Sequence, residues 1–146
     1  MDSLSEAPAR SVPQADEESA DYWEGLRARE IRLQKCEACG HARFPSMPGC
    51  PYCGAPASRT THIVAAGRGR VYSFVRVHRA LTPAMASEVP YVVAVVTLDD
   101  GPRVIARLAA GADDVRIDDE VLPRFVEHDS WTELRFDVTG RTADGA

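Results

Sequence analysis

All four cysteines of this chain fall between positions 36 and 53, as Cys36-Glu-Ala-Cys39-Gly40 and Cys50-Pro-Tyr-Cys53-Gly54. Two CxxC pairs with ten residues between Cys39 and Cys50 have the spacing of four thiolates around one metal ion. Each pair folds into a tight knuckle that aims both sulfurs at the same point. A glycine follows each knuckle, where it tolerates positive φ and lets backbone N–H groups approach the sulfurs. Cys36, Cys39, Cys50 and Cys53 are therefore the expected metal ligands, and zinc is the expected ion. Four thiolates complete a tetrahedral shell and leave no position for water or substrate, so the site is expected to hold the fold together and take no part in chemistry. The same ligands also suit one iron in a rubredoxin-like site. Two disulfides are the other reading, which needs an oxidising compartment to which nothing in the N-terminal sequence directs the chain.

With 146 residues there is room for such a ribbon and one compact barrel. The longest apolar run, Tyr91 to Val96, is far short of the roughly 20 residues of a membrane helix, and the expectation is a cytoplasmic protein without a membrane partner. Residues 1–20, acidic and interrupted by Pro8 and Pro13, read as a disordered tail. The net charge is −5, yet from Ala38 to Ser87 there is no Asp or Glu, while Arg43, Arg59, Arg68, Arg70, Arg76 and Arg79 all lie in that window. This asymmetry points to an anionic partner for the middle of the chain; a set of solvated strand arginines is the alternative.

Asp21 and Glu24 have the form of a capping box, and Tyr22, Trp23 and Leu26 share one side of the short helix it would start. From Glu30 the period changes to two, giving a strand through Ile31 and Leu33 into Cys36. Phe44, Pro45 and Pro48 suit an irregular finger, and His62 and Ile63 begin a connecting strand. Beyond Gly67 five strand candidates follow: Arg70 to Val77, Tyr91 to Leu98, Arg103 to Leu108, Glu120 to Glu127 with a break at Pro123, and Glu133 to Val138. Asp99-Asp100-Gly101-Pro102 supplies a hairpin turn. The fold class is mainly β: a helix and zinc ribbon over 21–58, then a partly open Greek-key barrel of the OB type over 59–138, and a loose tail at 139–146.

Catalytic equipment is missing from this pattern. No serine has a nucleophile-elbow setting and every cysteine is committed to the metal, so no catalytic residue is assigned. His78, between Arg76 and Arg79 at a strand end, is the best single candidate for an active-site group, against the reading of a solvated histidine. His41 sits beside the first knuckle as a neighbour of the ligands. Gly67-Arg68-Gly69-Arg70 reads either as a turn or as a phosphate cradle. Arg70, Tyr72, Phe74, Arg76 and His78 alternate on one strand face, the pattern with which OB barrels hold single-stranded nucleic acid, unless a bulge turns Tyr72 and Phe74 into the barrel. Trp23 is a packing anchor or an anchor for a partner protein.

The order of these pieces resembles one family. Tyr22-Trp23, Ile31 to Cys36, the two knuckles, Phe44-Pro45, Gly67-Arg-Gly-Arg-Val-Tyr-Ser73, Pro90 to Ala94 and Asp100-Gly-Pro102 together resemble small proteins with a rubredoxin-like zinc ribbon followed by an OB fold, long known as a domain of unknown function. The resemblance implies a non-catalytic accessory subunit in a hetero-oligomer. Its partner would be a thiolase-fold enzyme acting on acyl-CoA (an acyltransferase, a thiolase or an aldolase of steroid side-chain breakdown), or a hot-dog-fold enoyl-CoA hydratase. It also gives the arginine-rich window an anion, the phosphates of a coenzyme A thioester, for Arg68, Arg70, Arg76, His78 and Arg79. Tyr22, Trp23 and Phe44 become candidate partner contacts. A single-stranded nucleic-acid module and a rubredoxin-like electron carrier are the alternatives; the acidic net charge speaks against the first. The chain departs from the family beyond Val115, where Asp118-Asp119-Glu120 replaces a common glycine turn.

Overall fold

The computed structural model describes residues 11–141. Its first element is set by a reciprocal pair: Ser19 N–H donates to Asp16 Oδ1 at 2.8 Å and Asp16 N–H donates to Ser19 Oγ at 3.0 Å. This box starts helix α1 (Ala20–Arg27) ahead of the one expected at Asp21 and Glu24. Asp21 instead faces Arg32 at 3.2 Å and His62 at 3.5 Å. Of the segment read as an N-terminal tail, 1–10 lies outside the described residues, and from Asp16 the chain is already turning into the helix. Gly25, a weak helix former, is explained by packing, because a Cβ there would stand 2.7 Å from Arg32 Cγ.

Strand β1 (Ile31–Cys36) buries Ile31 and Leu33 as its period of two requires. It forms the centre of a three-stranded antiparallel sheet, between β2 (Ala42–Arg43) and β3 (Thr60–Ala65). β3 pairs with β1 along its whole length, from Ile31↔Ala65 to Cys36↔Thr60, and so belongs to the ribbon sheet. β3 covers the edge of β1 opposite β2, which would otherwise stand open.

The barrel consists of β4 (Gly69–Val77), β5 (Tyr91–Leu98), β6 (Arg103–Leu108), β7 (Glu120–Glu127) and β8 (Thr132–Gly140), closed in the order β4-β5-β6-β8-β7. All five expected strands form, and β6 runs parallel to β8 with Arg107 opposite Arg135. Closure rests on a short seam, Gly69↔Val121 and Arg70↔Glu120. The irregularity expected at Pro123 lies instead between Glu120 and Val121; Pro123 pairs across from Phe136. β8 extends past residue 138, and 142–146 lie outside the described residues.

A register shift between Val71 and Ser73 supplies the bulge that is the alternative to one regular β4 face. A bulge adds a residue to one strand and re-aims its side chains, and here it turns Phe74 inward against the core but leaves Tyr72 exposed. One core serves both modules: Leu26, Ile31 and Leu33 belong to the same buried cluster as Val71, Val92, Val96, Val104, Val121 and Phe136. Each such side chain contributes about 1.5–3 kcal/mol when fully buried, so the shared core fixes ribbon and barrel relative to each other. Among the described residues no helix is long and apolar enough to cross a membrane.

Candidate metal centre

The last residue of β1 is the first ligand. Cys36 C=O accepts from Gly40 N–H at 2.8 Å, and Cys50 C=O accepts from Gly54 N–H at 2.9 Å, so the two knuckles repeat one turn. Gly40 and Gly54 sit at φ 79° and 76°, the left-handed conformation that favours glycine at such a turn. Cys36 N–H also donates to His41 C=O at 2.9 Å, which holds the first knuckle against the start of β2.

This geometry brings four sulfurs together. Cys36 and Cys53 Sγ are 3.7 Å apart, Cys39 and Cys50 Sγ 3.6 Å, and all four ligand atoms lie within 4.8 Å of one another. A tetrahedral ion with Zn–S bonds of about 2.3 Å requires sulfur separations of about 3.8 Å; the observed cage fits that ion. The amide N–H of Cys39, joined by that of Ala38, holds the Cys36 thiol down to about 6, the direction that prepares a thiolate for metal. Cys36 and Cys50 are buried, Cys39 is half-buried and Cys53 is exposed. Bound zinc would supply a cross-link between the two knuckles, and with four thiolates around it no position remains for a reacting group. His41 touches the cage from outside, its Nδ1 3.4 Å from Cys39 Sγ, and its ring stacks on Tyr52 of the second knuckle at 4.4 Å.

Arg43, named only as one of the arginines of the acid-free window, is neither solvated nor open to an anion. It is 2% exposed, donates through Nε to Gln34 Oε1 at 2.8 Å and through Nη2 to Thr60 Oγ1 at 2.8 Å and Met47 C=O at 3.4 Å. Gln34 Oε1 also accepts from Met47 N–H at 2.8 Å. One guanidinium therefore joins all three ribbon strands to the finger between the knuckles. The available signal was Gln34, a polar residue in the strand leading to Cys36, which requires a donor if buried.

The three candidate contact aromatics do come together. Tyr22 lies 5.3 Å from both Trp23 and Phe44 by ring centroids, and Trp23 reaches Trp131 of the β7–β8 loop at 6.1 Å. Burial pushes the Tyr22 hydroxyl up to about 12. The cluster packs helix, finger and barrel on one another. A groove of about 330 Å³ runs beside it, lined by Pro13, Ala20, Trp23, Arg27 and Trp131 among others.

The five candidate anion-binding residues do not converge. Arg70 is paired with Glu120 at 2.9 Å, and Arg76 donates to Asp113 C=O at 3.0 Å. Arg68 and Arg79 have no carboxylate partner among the described residues. They flank opposite ends of β4, which at about 3.3 Å per residue separates them by on the order of 30 Å. His78 follows β4 directly and adjoins Arg79.

A four-thiolate ribbon joined through one core to a closed five-stranded barrel of this order defines a zinc-ribbon and OB-fold protein. Residues 23–58 match the family described as ChsH2, rubredoxin-like zinc ribbon domain, and residues 62–126 that described as ChsH2, C-terminal OB-fold domain. The chain belongs to this DUF35 family. It is 34% identical over 106 residues to a DUF35 domain-containing scaffold protein of Methanothermobacter thermautotrophicus, covering 71% of this chain and 78% of that one. It is 38% identical over 105 residues to a probable enoyl-CoA hydratase alpha subunit of Thermomonospora curvata, covering 72% of this chain and 32% of that protein, so it spans about a third of that relative. A solved structure described as Ltp2-ChsH2(DUF35) aldolase superposes with a TM-score of 0.77 at 33% identity, over 87% of this chain and 98% of that one. Asp118 stands at φ 71°, a left-handed conformation that Asp tolerates better than most residues. β8 lies beyond the matched region.

Proposed function

We propose that this chain is a non-catalytic accessory subunit of an enzyme that acts on acyl-CoA, pairing with a thiolase-fold or hot-dog-fold catalytic subunit in the cytoplasm. One observation carries the reading: a chain whose candidate metal centre has a closed ligand shell superposes nearly end to end on the DUF35 chain of an aldolase. The relatives' names add the acyl-CoA setting, and fold alone would not. The chemistry then belongs to the partner, and the zinc ribbon serves to hold α1 and the finger in a fixed pose.

The contribution of this chain to coenzyme A binding is narrower than five residues. Arg70 and Arg76 are engaged with Glu120 and Asp113, so a phosphate is met more readily by Arg68 at one end of β4, or by Arg79 with His78 at the other, where no ion pair has to break. The test is isolation of the tagged chain from its native host, with identification of what co-purifies. The expected result is an enzyme of acyl-CoA metabolism in fixed stoichiometry. Recovery of nucleic acid alone, or of a monomer containing iron, would overturn the proposal.

A further inference from the structure

The strands β4, β5 and β6 contain four arginines and no acidic residue, in a chain with 22 Asp and Glu against 17 Lys and Arg. Their registers align Ser73, Val95 and Ile105 in one row and Val75, Val93 and Arg107 in another. Paired residues share a face of the sheet. The row between them, Phe74, Ala94 and Ala106, turns toward the core, so these two rows point outward. Val75 is 61% exposed and Ile105 65%, with Val93 and Val95 between them and Tyr72 exposed at the bulge. At one end Arg103 lies 3.6 Å over the Tyr72 ring and donates to Thr97 Oγ1, without a carboxylate partner among the described residues.

We infer that this outward face seats the catalytic partner through an aliphatic surface rimmed by carboxylates; the inference rests on the accessory-subunit reading and names the surface it uses. OB barrels that hold single-stranded nucleic acid present stacking aromatics and cations there. Here the centre is aliphatic and Tyr72 is already covered by Arg103. A second copy seated face to face offers Arg103 no counter-charge from these three strands, and the Glu88 beside them is already paired with Arg107 at 3.0 Å. A partner with an acidic rim does, and exposed apolar patches with a polar border are the usual mark of protein contact.

The experiment uses the full zinc-loaded chain and the partner enzyme identified by native isolation. Val75→Glu and Ile105→Glu place a charge where the aliphatic surfaces meet, and Val64→Glu, at a 61% exposed position of β3, is the control. Zinc content and melting temperature, unchanged in all three, show that each variant folds. The expected result is a Kd at least tenfold weaker for Val75→Glu and Ile105→Glu, within twofold of wild type for Val64→Glu, and restored by Ile105→Leu. Wild-type affinity in both barrel variants overturns the inference and leaves the accessory role standing. So does a homodimer, seen by light scattering, that Ile105→Glu dissociates while partner affinity is unchanged, or single-stranded DNA binding that Ile105→Glu abolishes. If the wild type instead captures an identified protein of another kind, and Val75 and Ile105 are needed for it, the surface stands and the accessory reading falls.

Discussion

Trp131 is held between two rings: Trp23 of α1 meets it edge to face at 6.1 Å and 78°, and His128 stacks on it at 4.5 Å and 24°. The β7–β8 loop of the barrel is thereby clamped to the helix that precedes the ribbon. His128 is anchored in turn by Glu133 at 2.8 Å, which also takes Arg135 at 2.8 Å. Trp23→Ala should destabilise the protein by about 2 kcal/mol, since both rings are half-buried and aromatic pairs add about 0.5–1.5 kcal/mol beyond area. Urea unfolding of Trp23→Ala, Trp131→Phe and the double variant measures the coupling, and additive losses would show that the rings do not cooperate.

Removing a ligand should undo the ribbon. Cys39→Ser is expected to lose zinc and most folding stability, because zinc binding contributes on the order of 10 kcal/mol in such sites. Metal analysis with circular dichroism checks this; a folded, zinc-loaded variant would contradict it.

Gly67 stands at φ 82°, and a Cβ there would be 2.6 Å from Pro123 Cγ and 2.9 Å from Ile31 Cδ1. Gly67→Ala therefore meets both left-handed strain and a clash where β1, β7 and the entry to β4 converge. A loss of about 2 kcal/mol or more is expected, read as a lower urea midpoint at unchanged slope.

Arg124 donates through Nε to both carboxylate oxygens of Asp137, at 2.8 and 2.9 Å, and holds that carboxyl below its ordinary 3.8. A folded-state value below the unfolded one stabilises the protein above the unfolded pKa, and this is lost as pH falls through the folded value. Arg124→Met should thus lower stability at pH 7 only slightly, because the guanidinium is half-exposed and solvent screens the pair. The difference from wild type should shrink below pH 3.8. An unchanged gap at lower pH would assign the effect to packing.

The barrel was legible because each strand carries its own pattern of apolar residues, from Tyr91–Leu98 to the alternation ending at Phe136. The thiolate cage was legible because ligand spacing is local. What escaped depends on contacts between distant segments. The register of β4 on β5 decides that the bulge leaves Tyr72 outside and Phe74 inside, the pairing of β3 with β1 uses the edge opposite β2, and Arg43 is buried only because Gln34, Met47 and Thr60 converge on it. For the same reason the alternation of Arg70, Tyr72 and Phe74 suggested a single binding face that the bulge divides.

The most direct test of the central claim is turnover of acyl-CoA thioesters by the purified zinc-loaded chain alone and by the complex isolated from its host. The account predicts no reaction with the isolated chain and activity in the complex, lost when Cys39→Ser releases the metal. Turnover by the isolated chain would contradict it.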